Sequence, residues 1–164
     1  MNVALAIKLL PFLIVSPKPK IMNTNKFFVG GIIGGIADFL LGWLVWGMLL
    51  KNFMNEHTTE AGKAIMRGDD NMIWWAMIAG ALCWGLMLSY VLIKSGATTV
   101  SSGATTGAVL GLLIGAAIAF FNYGLQNAGD TTLMVVSIVV NLVVGAILGG
   151  VIGWFLGMGK KAAA

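Results

Sequence analysis

The chain has 164 residues, 59% of them hydrophobic and 10% charged, with a formal charge of +4. That is far more apolar than a soluble domain and leaves room for four membrane spans, short connections and two tails. The positive balance does not mark a nucleic-acid binder, because the lysines sit beside apolar segments rather than on one face of a soluble fold.

Residues 1–26 read as an N-terminal tail. Ala4 to Val15 is apolar but interrupted by Lys8 and Pro11, and Lys18 and Lys20 alternate with prolines after it. A cleaved signal needs a small-residue cleavage site, which is missing before Lys18. The residues favour a simple tail, with a membrane-surface segment and a start at Met22 left open as alternatives.

Four apolar stretches follow, at 27–50, 72–93, 103–125 and 132–158. At ~1.5 Å rise per residue, ~20 such residues cross the hydrocarbon core. Lipid offers backbone groups no partner, so each stretch is expected to be a self-bonded helix. The fold class is therefore all-α, a polytopic membrane bundle of four transmembrane helices within residues 27–158, followed by a tail at 159–164.

In the first span Gly31, Gly35, Asp38 and Gly42 fall within one narrow arc at ~100° per residue. Asp38 is the only acid in any span, and its depth is near the bilayer midplane. In the outer loop, residues 59–67 suit a short surface helix ended by Gly68, with Glu60 and Lys63 as a weak pair. Asp69, Asp70 and Asn71 are placed to cap the second span, which holds Cys83, the sole cysteine and an expected buried apolar residue.

Ser101 and Ser102 open the third span, in which Gly103, Gly107, Gly111, Gly115 and Ala119 recur every four residues. Asp130 and Thr131 open the fourth, where Asn141, Gly145, Gly149, Gly153 and Gly157 repeat the same spacing. Small residues let helix backbones approach in lipid, where there is little hydrophobic driving force. The short 126–130 connection makes these two helices antiparallel neighbours. The stripes read as a close intramolecular contact or a dimerisation surface, with a glycine-lined solute path as the alternative. Asn141 lies at a depth like that of Asp38 and is its best expected partner, either fixing helix register or forming a proton or cation site.

Lys8, Lys18, Lys20, Lys26, Lys94, Lys160 and Lys161 fall on one side of these spans, whereas Lys51, Lys63 and Arg67 fall on the other. The excess of positive charge places both termini in the cytoplasm. Trp74, Trp75, Tyr90, Tyr123 and Trp154 suit an interfacial aromatic belt. His57 is the only histidine and lies in a loop, and no two carboxylates share the spans. No catalytic, cofactor-binding or metal-ligating set is expected, and an enzyme is disfavoured.

The segment from Leu41 to Phe53, with Gly42-Trp43 and Trp46-Gly47 before Lys51, and Gly96-Ala-Thr-Thr99 before a glycine-rich span, resembles a family of small bacterial four-helix membrane proteins of unknown function. The resemblance implies an integral protein of the bacterial inner membrane and carries over no active residue. The expectation is a non-enzymatic helix-packing, oligomeric or accessory component. Its partners are the lipid bilayer and a second copy or another membrane protein. The alternative is a small-solute or proton-coupled transporter using Asp38.

Overall fold

A computed structural model describes residues 23–158, all helical apart from short connections. The expectations for the tails, Lys160 and Lys161 included, fall outside these residues. Helix α1 (Thr24–Gly42) runs without a break into a π-helical turn at Trp43–Leu49. Two short helices follow, α2 (Lys51–His57) and α3 (Glu60–Ile65), then a 3₁₀ turn at Asp69–Asn71. The long helices α4 (Trp74–Ser95), α5 (Val100–Leu125) and α6 (Thr131–Gly157) complete the chain. Among the described residues, four helices are long and apolar enough to cross a membrane, so this is a multi-pass membrane bundle.

Local chemistry explains most of the boundaries. The Asn23 side chain accepts from Lys26 N and starts α1. Gly96 adopts the left-handed conformation (φ 74°) that ends α4, with Gly96 and Ala97 amides returning to Ile93 and Leu92 carbonyls. Helix α5 is opened by a capping box between Thr99 and Ser102, two or three residues earlier than a cap at Ser101 or Ser102 would give. Asp130 caps α6 by accepting from Leu133 N at 2.8 Å. The expected cap of α4 at residues 69–71 is displaced, since Ile73 holds the N-cap position without a side-chain bond. The outer-loop helix ends at Ile65, before Gly68, and carries the Glu60–Lys63 pair at 2.9 Å.

The helices associate as two antiparallel pairs, α5 with α6 and α1 with α4, and α6 lies against both members of the second pair. The shared core is small and one-sided. Leu88, Leu92, Leu148, Ile152 and Leu156 are buried together with Ala97, all toward the end where the chain enters and leaves the bundle. We call this the terminal end. There Lys26 donates its ammonium to the carbonyls of Leu156 (3.2 Å) and Met158 (2.9 Å), so a cation meets the last turn of α6. At the opposite end, residues 74–80 of α4 are all exposed, Trp75 at 75%, with the Trp74 ring beside Phe39 of α1. The bundle is packed at one end and open at the other. Cys83 is exposed on α4, so the expectation of a buried thiol is corrected: it sits on an outward face.

Candidate functional site

The α5–α6 seam is backbone on backbone. A Cβ at Gly103 or Gly107 would run into the carbonyl oxygens of Gly149 and Gly145, and the relation is reciprocal from Gly145 and Gly149. At Gly153 and Gly157 the obstacles are the carbonyls of Thr99 and Thr98. Glycine carbonyls facing glycine Cα atoms at this range allow weak Cα–H···O contacts as well as dispersion. Asn141 takes the next place in the α6 stripe. Gly111 faces its carbonyl, and Gly115 leaves space for its side chain. The Asn141 amide folds back to donate to Ser137 O at 2.8 Å.

The α1–α4 seam uses a second set of small residues. Gly31 meets Leu86, Gly35 meets Leu82 and Ala81, and Gly85 meets the backbone of Gly31, Gly34 and Gly35. Ser89 is fully buried and donates to Phe27 O at 3.0 Å. Ala81, Gly85 and Ser89 thus form a four-residue stripe that the sequence reading missed, because only one of its three members is glycine. Gly42, by contrast, has open space where a side chain would project, and takes no part in either seam.

Asp38 and Asn141 do not meet. Gly34 packs on Ile152, so with α1 and α6 antiparallel Asn141 is level with about Val45. At ~1.5 Å per residue that is ~10 Å beyond Asp38 along the axis. Counting depth from the helix ends overlooked this offset in register. Asp38 is half-buried, and among the described residues it has no hydrogen-bond or ion-pair partner. Continuing the register of Gly31 with Leu86 and Gly35 with Leu82 puts it level with Ala79, where the exposed stretch of α4 begins.

Asn141 instead lines a chamber of about 300 Å³ at the open end, between α5, α6 and the outer loop. Trp46, from the π-helical turn, closes one side; Asn122, Tyr123, Gln126 and Ser137 contribute polar groups. A π-helical turn widens the local backbone and is frequent at functional sites. Above the chamber the outer loop is clasped to the α5–α6 connection. Thr58 and Gly129 form an antiparallel bridge, and Thr59 Oγ1 donates to Asn127 O at 2.5 Å. Asp130 N donates to His57 O at 3.1 Å. His57 Nδ1 and Asp130 Oδ2 lie 2.6 Å apart, and this hydrogen bond holds the Asp130 carboxyl below the usual carboxylate range, helped by the Leu133 amide. The clasp was not legible in the sequence, where His57 read as a solvated loop residue.

Comparisons with protein-family models, curated proteins and solved structures find no match for this chain. The resemblance of the 41–53 segment therefore identifies no family, and the four-span membrane architecture is what stands.

Proposed function

We propose that the protein is a non-enzymatic component of the bacterial inner membrane that works through helix–helix contacts, as a homo-oligomer or an accessory subunit, with both termini cytoplasmic. The observation that carries this reading is the open end of the bundle. Residues 74–80 lie inside a candidate span yet are all exposed, with the Trp74–Phe39 ring contact at their far end, and the half-buried Asp38 beside them has no partner among the described residues. A membrane helix without helix neighbours forgoes the dispersion and polar contacts that hold bundles together in lipid. The test is the mass of the full chain in mild detergent and in nanodiscs. A multiple of 17.2 kDa, or a complex with a second membrane protein, is expected. A monodisperse single copy in both media refutes the reading.

A small-solute or proton-coupled transporter is the second reading, and the 300 Å³ chamber favours it. Asp38 is not on the chamber wall, so this reading needs a route linking the two. It predicts pH-driven uptake into reconstituted vesicles that Asp38→Asn abolishes.

A further inference from the structure

We infer that Asp38 and the open half of α4 form a notch that seats a transmembrane helix of another protein carrying a lysine or arginine near mid-depth. This rests on the assembly reading above and names the partner's chemistry.

The first step is the position of the carboxylate. At ~100° per residue, Asp38 falls between Gly31, which meets α4, and Gly34, which meets both Gly85 of α4 and Ile152 of α6. It therefore looks into the seam between α4 and α6. That seam is closed at the terminal end by Leu88, Leu92, Leu148 and Ile152, and it opens beyond Ala81. Asp38 stands at the point where it opens.

The second step is what this chain lacks. A polar group at mid-membrane is costly, and such residues pair with one another, with backbone carbonyls or with water. Asn141 is engaged with Ser137 well beyond Asp38 along α6. The cations among the described residues are Lys26, Lys51, Lys63, Arg67 and Lys94, all at span ends or in the outer loop. Among its described residues a second copy brings the same distribution, and none of these cations lies at the level of Asp38. The complementary charge in this proposal comes from a different polypeptide.

The third step is room. Seven consecutive exposed residues leave α4 uncovered away from the Phe39–Trp74 ring contact, so a helix has a surface to lie along. Gly80 has nothing within 4 Å of the place a side chain would occupy, and its neighbours Ala76 and Ala79 are small, which permits close backbone approach. A basic side chain from such a helix reaches Asp38 at the level of Ala79.

The test reconstitutes the full chain, fluorescently labelled at a cysteine replacing Gln126 in a Cys83→Ala background, into phosphatidylcholine vesicles. Three polyleucine transmembrane peptides serve as probes: one with a central lysine, one without, and one with the lysine moved toward an end. Energy transfer should show the central-lysine peptide associating ~10-fold more tightly than the other two, the scale of one interhelical polar contact. Asp38→Asn should remove that preference while helix content stays unchanged. Equal association of the three peptides with the wild-type protein overturns the inference, and this arm needs no folded variant. A preference that survives in folded Asp38→Asn also overturns it. The mass measurement uses no added peptide, so the two ideas fail separately. Oligomers without peptide discrimination remove this inference and keep the assembly reading; a single copy that selects the central-lysine peptide does the reverse.

Discussion

Adding one methyl group at Gly107 is expected to loosen the α5–α6 pair by about 1–4 kcal/mol. In Gly107→Ala the new Cβ would meet the Gly145 carbonyl and stand 2.9 Å from the Gly149 Cα, so every obstacle is backbone and none can rotate aside. The helices must separate locally by about 1 Å, and a gap of that size forfeits a quarter to a half of each dispersion well it opens. Spread over the twenty or so atom pairs of one crossing turn, at ~0.1–0.2 kcal/mol each, this is about 0.5–2 kcal/mol. Weakening one or two Cα–H···O contacts adds ~0.5–1 kcal/mol each. The control is Gly80→Ala, which meets nothing within 4 Å and gains helix propensity of up to ~1 kcal/mol. Unfolding by a denaturing detergent titrated into mild-detergent micelles, followed by circular dichroism, measures both. If Gly107→Ala stays within ~0.5 kcal/mol of the parent, the seam is not the close backbone contact described and the reasoning fails. Gly111→Leu, against the Asn141 carbonyl, should be worse still and should lower folded yield.

Three further outcomes follow from the ends of the bundle. Lys26→Met removes the ammonium from the Leu156 and Met158 carbonyls and should cost about 1 kcal/mol in the same titration, with Lys26→Arg restoring part of it. The clasp should open in acid. The native Asp130 carboxyl lies below its ordinary value, so its contribution is present above about pH 4, where unfolded carboxyls are ionised, and is lost as pH falls through the lower native value. Spin labels at Glu56 and Asn127 should report lengthening distances over that acid range in the parent and none in Asp130→Asn, which lacks the titration. Cysteines at Glu56 and Ser95, in a Cys83→Ala background, should label from opposite faces of the membrane, with Glu56 outside; labelling of Ser95 from outside reverses the orientation.

Long apolar runs reveal spans because lipid accepts only self-bonded helices, so length and hydropathy suffice for that level. Packing was legible where one residue type repeats, as with Gly103 to Gly115 facing Gly145 and Gly149. It was hidden where the small residues are mixed, as with Ala81, Gly85 and Ser89. The Trp43–Leu49 turn has the same hydropathy whether its amides return four or five residues, so its π geometry leaves no mark on the pattern. The separation of Asp38 from Asn141 depends on how two helices slide past one another, which depth counting ignores. The His57–Asp130 contact joins residues 73 apart and depends on both loops being carried to the same place by the bundle.

That last contact also bears on how the protein is made. His57 and Thr59 leave the ribosome with the first helix already behind them, but their partners at Asn127 to Asp130 emerge 68 to 73 residues later. During translation the loop after the first span therefore has nothing to hold, and the π-helical turn and Trp46 have no lid above them. The loop's counterpart arrives only with the five-residue link (126–130) between the two glycine-faced helices α5 and α6. The clasp then acts as a completion mark. A chain truncated before Asp130 should expose the 51–66 segment to protease, and the finished chain should shield it.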